Sequence, residues 1–234
     1  MSGVSDGERQ YNHASRSRLS PHDLPRFAEP TLFHRVARAL CELDCLPRRE
    51  LFESWEVARR ARRRLRGRRV VDLACGHGLI GQLMLLLDPA LEAVLAVDKR
   101  LPPSAAKITA RLAVEWPRLV GKVELVEQPL RQTVLRPDDV VVSCHACGRL
   151  TDQVLDLAIG SGVPVAVLPC CQSEALGDAG GLDGWIDNAL AIDVTRAHRL
   201  RAAGYRVHTQ LLPPTLTAKN RLLLGERRAA PTGP

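Results

Sequence analysis

Two carboxylates and three glycines in this sequence have the spacing of a site for a ribose-containing ligand. Asp72 lies near the end of an apolar run, and Gly76, Gly78 and Gly81 follow it. Glycines let a ligand approach the backbone of a strand-to-helix turn, and the start of the helix offers unpaired N–H groups. Asp98 ends the next apolar run, where an acid can accept hydrogen bonds from both ribose hydroxyls. The spacing therefore predicts a site for an adenosine-containing cofactor.

Both NAD and S-adenosylmethionine are compatible with this glycine pattern. Asp98 does not distinguish them, because both cofactors carry a ribose. Asp72 does, since a carboxylate repels a pyrophosphate but attracts the ammonium and sulfonium groups of S-adenosylmethionine. An alternative is that Asp72 only caps the following turn. We predict S-adenosylmethionine as the cofactor. The predicted cofactor-binding residues are Asp72, Ala74, Gly76, Gly78, Asp98, Gln128 and Cys144.

An alternation of apolar runs and amphipathic segments positions these residues. Strands are predicted near 69–74, 92–98, 122–127, 139–144, 163–168, 205–211 and 220–226. Helices are predicted near 78–88, 103–117, 149–160 and 187–203. Apolar runs separated by helices indicate a parallel sheet that is buried on both faces. The last two strands are joined by a loop too short for a crossover helix, so they must be antiparallel. The sequence predicts an α/β, Rossmann-like class I methyltransferase fold, with a mostly parallel seven-stranded sheet and an antiparallel last strand.

The chain divides into a main domain, a helical extension and two tails. Residues 1–25 are polar and aperiodic, which predicts a mobile N-terminal tail. Residues 26–67 are predicted to form a helical extension, whose second helix near 48–65 is rich in arginine. Residues 68–228 form the predicted methyltransferase domain, and residues 229–234 a C-terminal tail. A chain of 234 residues can bury one substantial core.

Composition points to an anionic partner and a reducing compartment. The formal net charge is +7 and the isoelectric point is about 9.4. Seven cysteines without a secretory signal favour reduced thiols, and hence a cytoplasmic location. No apolar run is long enough for a membrane span, so no membrane partner is expected.

The segment that follows the fourth strand admits three interpretations. His145 could act as a catalytic base toward a hydroxyl or amine, with Asp152 orienting it or holding the substrate. Nearby thiols could bind zinc, although neighbouring cysteines in extended backbone point to opposite sides, and no metal is predicted. The thiols could also be buried structural groups. The four cysteines concerned are Cys144, Cys147, Cys170 and Cys171.

Three segments in order carry a resemblance to a known family. They are "VVSCHACGRLTDQVL", "VPVAVLPCCQS" and "GYRVHTQLLPPTLTAKNRLLLGER". Together they resemble the methyltransferase-like domain of the glutathione S-transferase C-terminal domain-containing proteins, over roughly residues 50–228. That domain is similar to the tRNA acceptor-stem ribose 2′-O-methyltransferases, so the resemblance implies transfer of a methyl group to RNA. The matching positions are His145, Cys147, Gly148, Thr151, Asp152, Cys170, Cys171, Lys219 and Asn220.

An RNA substrate is also suggested by the arginine-rich helix. Four arginines share one face of that helix, which we expect next to the active site, where they would contact phosphates. The chain has only three Trp, three Phe and two Tyr, so few aromatic side chains are available to stack on bases. This favours recognition of RNA through its backbone and shape. The alternatives are a protein or small-molecule methyl acceptor, or a non-catalytic module that keeps the fold. The predicted substrate-binding residues are Arg59, Arg62, Arg63, Arg66, Cys170 and Asn220.

Overall fold

A seven-stranded sheet forms the centre of the molecule. The structure is a computed structural model that describes residues 11–144, 146–169 and 177–227. The strands are β1 Arg69–Leu73, β2 Ala93–Asp98, β3 Val123–Glu127, β4 Asp139–Cys144, β5 Val165–Leu168, β6 Tyr205–Leu211 and β7 Arg221–Arg227. Their order across the sheet is β3-β2-β1-β4-β5-β7-β6.

The pairing of the strands confirms the predicted fold class. Strands β1 to β5 pair in parallel, and β7 lies antiparallel between β5 and β6. Because β7 reverses direction, the end of β6 lies at the same sheet edge as the ends of β1 to β5. This is the Rossmann-like arrangement with an antiparallel last strand.

Helices cover both faces of the sheet. They are α1 Leu32–Cys41, α2 Arg48–Arg64, α3 Leu79–Leu87, α4 Pro103–Glu115, α5 Arg149–Ser161 and α6 Asn188–Ala202. Val70 of β1 packs into the core that α1 to α4 form, whereas Val71 packs into the core that α5 and α6 form. This alternation of side chains buries the strand on both faces. No helix in the described part of the chain is long and apolar enough to cross a membrane.

The segment before α1 is packed rather than separate, which corrects the predicted mobile tail for residues 11–25. Leu19 is completely buried, and its N–H donates to the carbonyl of Leu46 at 2.8 Å. A 3₁₀ helix spans Pro21–Phe27. The ring of Tyr11 meets that of Phe52 on α2 at 6.4 Å between centroids. Apolar residues that occur singly along a polar segment give no hydrophobic periodicity, which explains why the prediction was wrong. Residues 1–10 and 229–234 lie outside the described residues.

Candidate functional site

The turn between β1 and α3 holds three residues in left-handed conformation. Ala74 has φ 52°, Gly76 has φ 53° and Gly78 has φ 66°. A non-glycine residue with positive φ is strained, and such strain is concentrated at functional sites. Among the described residues, the nearest atom to a Cβ built on Gly76 would be an oxygen of Glu50 at 4.0 Å, which leaves space beside this backbone. The turn thus leaves room for a ligand where the sequence predicted one.

Asp98 is fixed beside this turn by the backbone. Its Oδ2 accepts a hydrogen bond from the N–H of Gly76 at 2.9 Å, and its Oδ1 accepts one from the N–H of Arg100 at 3.3 Å. Gln128, after β3, donates its N–H to the carbonyl of Asp98 at 2.8 Å. The Gln128 side chain donates to Thr133. The structure therefore brings Gln128 and Asp98 to the same edge as the glycine turn, as a site for ribose and adenine requires.

Asp72 caps the following helix through one carboxylate oxygen, and its second oxygen is buried. Its Oδ2 accepts a hydrogen bond from the N–H of Gly81 at 3.1 Å, in the first turn of α3, so it does cap that helix. Its Oδ1 is buried and has no hydrogen-bond partner among the described residues. The pKa of Asp72 is raised to about 8, chiefly by burial. The hydrogen bond from the Gly81 N–H opposes this rise, and the negative charges of Asp98 and Glu50 add to it. A buried, unpartnered carboxylate oxygen fits a cationic ligand group, and S-adenosylmethionine carries two.

Gly81 serves helix packing rather than ligand approach. A Cβ at this position would lie 2.5 Å from Cγ1 of Val94 on β2 and 3.5 Å from Cβ of Asp72. Only a residue without a side chain lets α3 lie this close to the sheet. The third glycine of the pattern therefore lets the first turn of α3 lie against Asp72 of β1 and Val94 of β2.

The first turn of α2 also reaches the edge of the sheet where β1 to β5 end and where the glycine turn lies (the donor edge). The sequence did not predict this. Nδ1 of His77, in the glycine turn, lies 2.6 Å from Oε1 of Glu50 on α2. Both side chains are largely buried. The two residues are 27 positions apart and belong to no common motif, so no local sequence signal marks this contact.

The end of β4 is joined to the end of β1. Ser143 donates its hydroxyl to the carbonyl of Leu73 at 2.6 Å, and Cys144 follows as a buried residue at the same edge. Thr151, in the first turn of α5, donates to the carbonyl of Ala146 at 2.5 Å. His145, the predicted base, lies outside the described residues, as do Cys170 and Cys171. Among the described residues no group of three or more His, Cys, Asp or Glu side chains could hold a metal ion.

Asp152, which was predicted to orient His145 or hold the substrate, is paired with two arginines of α6. Its Oδ2 accepts from NH2 of Arg196 at 2.9 Å, and its Oδ1 accepts from NH1 of Arg199 at 2.9 Å. Two guanidinium groups from α6 thus occupy a carboxylate that we expected to orient His145. Arg196 is almost completely buried, and its sequence position, 44 residues after Asp152, gave no indication of the pairing.

Asn220 is likewise engaged within the fold. Its side-chain amide donates to the carbonyl of Leu212 at 2.8 Å, and its own carbonyl accepts from the N–H of Leu212 at 2.9 Å. These bonds close the loop between β6 and β7 at the edge that carries the glycine turn. The neighbouring Lys219 side chain is exposed at this edge.

The arginine-rich end of α2 lies far from the glycine turn, so the prediction that it adjoins the active site is wrong. Because α2 leads directly into β1, its last turn lies at the edge where the parallel strands begin. From Glu50 to Arg64, the last residue of α2, the helix axis rises by about 21 Å. Arg59 pairs with Glu56 at 2.8 Å, and NH1 of Arg66 donates to the carbonyl of Arg62 at 2.5 Å. Of the four predicted residues, Arg63 and Arg66 are exposed.

Comparisons with solved structures give the same fold. An O-methyltransferase family protein from Burkholderia thailandensis aligns with TM-score 0.51 and 22% identity, over 88% of this chain and 62% of that one. A putative O-methyltransferase from Nostoc punctiforme aligns with TM-score 0.53 and 12% identity, over 87% and 67%. A putative rRNA methylase from Clostridium thermocellum aligns with TM-score 0.51 and 14% identity, over 74% and 94%. The chain thus spans less than two thirds of the length of the Burkholderia protein.

Sequence comparison identifies the family itself. Residues 51–177 match the model of a methyltransferase domain family, which is more than half of the chain. No functionally curated protein matches the sequence. The matched range contains the glycine turn, Asp72 and Asp98, whose geometry fits S-adenosylmethionine. The chain therefore belongs to this family of methyltransferase domains, and S-adenosylmethionine is its methyl donor.

Proposed function

We propose that this methyltransferase acts on RNA, with a structured RNA such as tRNA as its substrate. The observation that carries the proposal is a basic rim on the donor edge of the sheet. Loops after β2, β3, β4 and β6 each present exposed cations at this edge. The residues of the basic rim are Lys99, Arg100, Arg131, Arg149 and Lys219.

The rim cations are available to a ligand. Within residues 11–144, 146–169 and 177–227 none of their side chains forms an ion pair or a hydrogen bond. Clustered cations that have no protein partner favour a polyanion, because each neutralised phosphate releases condensed counterions. Since aromatic residues are few, recognition through phosphates and shape is favoured over stacking of single-stranded bases.

The far end of α2 supports a substrate larger than a few nucleotides. Arg63 and Arg66 are exposed there, and Arg63 lies about 20 Å along the helix axis from Glu50. In this proposal they contact phosphates distant from the methylated nucleotide, and Arg59 and Arg62 support them within the helix. A compact folded RNA can reach both ends of the molecule.

The chemistry proposed is an in-line methyl transfer that depends mainly on positioning. When bound, S-adenosylmethionine supplies an electrophilic methyl group on its sulfonium. Asp98 binds the ribose, and Asp72 faces the charged amino-acid end. His145 is proposed, from its sequence position after β4, to take the proton of the accepting hydroxyl.

The test is transfer of a labelled methyl group into fractionated cell RNA, protein and small molecules. Label in one RNA class supports the proposal, whereas label only in protein or in small molecules contradicts it. If no fraction becomes labelled, the protein is the non-catalytic module that keeps the fold. Once an RNA is found, Arg131→Glu with Arg149→Glu should raise its KM about tenfold or more and flatten the salt dependence. Lys122→Glu, at the opposite edge before β3, is the matched control. It should change neither the KM for the RNA nor its salt dependence.

A further inference from the structure

The N-terminal extension contributes a carboxylate to the methyl-donor site. Glu50 lies in the first turn of α2, and its Oε1 is 2.6 Å from Nδ1 of His77 in the glycine turn. The same oxygen lies 4.0 Å from the point where a Cβ on Gly76 would be. Glu50 therefore lies at the open side of the turn, and no other residue that the structure describes lies within 4 Å of a Cβ placed on Gly76.

Three carboxylates converge on this turn. Asp72 lies beneath it with one oxygen unpartnered, Asp98 binds its backbone at Gly76, and Glu50 approaches from α2. His77 holds Glu50 in place: with the proton on Nδ1, neutral imidazole donates to the carboxylate and the pair keeps one negative charge. Lys99 and Arg100, which follow Asp98, are basic residues at this edge, and both of their side chains are exposed.

The donor and its product differ in charge. S-adenosylmethionine carries a carboxylate, an ammonium and a sulfonium, whereas S-adenosylhomocysteine has lost the sulfonium and is neutral overall. A negative field therefore stabilises the donor more than the product. We propose that Glu50 is a specificity-determining residue of the donor site, held by His77, that makes the protein prefer the cationic donor to the neutral product.

The proposal extends to the donor site alone and is independent of the RNA substrate. It explains why the extension before β1 contacts the glycine turn: the first turn of α2 completes the ligand site that the sheet begins. A preference for donor over product also limits product inhibition, because the spent cofactor loses part of the electrostatic attraction when the methyl group leaves.

The experiment is calorimetric titration of the full chain with S-adenosylmethionine, S-adenosylhomocysteine and sinefungin, an analogue with an amine in place of the sulfonium. Glu50→Gln keeps the size of the side chain and removes its charge. We expect it to weaken binding of both cationic ligands by at least about tenfold and that of the neutral product by less than about twofold. Glu42→Gln, which removes the same charge from the α1–α4 contact, should change none of the affinities.

Equal weakening of all three ligands would overturn the proposal, because Glu50 would then act through the shape of the turn alone. Unchanged affinities would overturn it as well. Glu50→Asp is the second variant: it keeps the charge, so the ratio of donor to product affinity should stay within about threefold of wild type even if the contact with His77 is lost. Thermal unfolding of each variant checks that the fold is retained.

Discussion

The guanidinium of Arg196 on α6 binds both carboxylate oxygens of Asp152 on α5, through Nε at 3.1 Å and NH2 at 2.9 Å. NH2 of Arg196 also donates to the carbonyl of Gly148 at 3.3 Å. One buried side chain thus holds the start of α5 against α6. Since α5 follows the end of β4, the pair fixes the chain that returns from the donor edge.

Removing this pair should destabilise the protein. Arg196→Ala leaves a void beside Asp152, which keeps Arg199 as its partner, and is expected to lower the free energy of unfolding by about 2–4 kcal/mol in chemical denaturation. Asp152→Asn keeps hydrogen-bonding capacity and should cost less. In a double-mutant cycle the two changes should be strongly non-additive. Additive effects would show that the two side chains are not coupled.

Donor binding should depend on pH through Asp72. Burial raises the pKa of Asp72 to about 8, so the donor-free protein holds a proton there at neutral pH. A cation beside the carboxyl favours the ionised form, so binding releases that proton. Affinity for S-adenosylmethionine should therefore rise with pH by up to about tenfold per unit below pH 8, and level off above it.

Calorimetry in two buffers of different ionisation enthalpy would measure the proton released. Asp72→Asn should bind the donor more weakly and with little pH dependence. If the variant kept the wild-type slope between pH 6 and 8, another group would be the source of the proton.

Asp98→Ala should weaken binding of S-adenosylhomocysteine by about 10- to 100-fold, because ribose loses a charged acceptor and the Gly76 N–H loses its partner. The product is the suitable probe, since it keeps the ribose and lacks the sulfonium. Glu92→Gln, just before β2 at the opposite edge, is the control and should bind normally. Unchanged affinity in Asp98→Ala would contradict the assignment of the ribose site.

Gly81→Ala should lower the free energy of unfolding by about 1–3 kcal/mol, because its methyl group would lie 2.5 Å from a methyl of Val94. Gly160→Ala on α5 is a matched control, since a Cβ there meets nothing within 4 Å. That variant should be neutral or slightly stabilising. Equal stability of the two variants would mean that α3 can move away from β2 without cost.

His145→Ala should keep the affinity for S-adenosylhomocysteine within about twofold and lower turnover by at least about 100-fold, as expected for loss of a general base. His198→Ala, an exposed histidine on α6, should leave both unchanged. Turnover that survives in His145→Ala would remove the proposed base from the mechanism.

The sheet and its helices could be predicted closely from the sequence. Predicted strand ends agree with the structure to within two residues, because long apolar runs report burial on both sheet faces. The short loop before β7 required an antiparallel last pair, and the structure has one. The position of the arginines relative to the glycine turn was predicted wrongly. It follows from topology, because a helix that leads directly into a parallel strand ends at the sheet edge where that strand begins.

The side-chain pairs that build the site were beyond sequence reasoning. Asp72 and Asp98 lie at the ends of β1 and β2, so their position was predictable. Glu50 and His77 meet only because α2 packs along α3, and Asp152 meets Arg196 only because α5 lies beside α6. Contacts between elements depend on packing geometry that no local pattern encodes.

The unpartnered oxygen of Asp72 bears on how long the protein survives in a cell. The folded donor-free protein keeps a proton that the unfolded chain, with its ordinary pKa near 3.8, has lost at neutral pH, so its stability declines as pH rises toward 8. Donor binding adds stability by mass action. Donor-free molecules therefore open more often, and proteases degrade the opened form. We expect the half-life of this protein to follow the supply of its methyl donor.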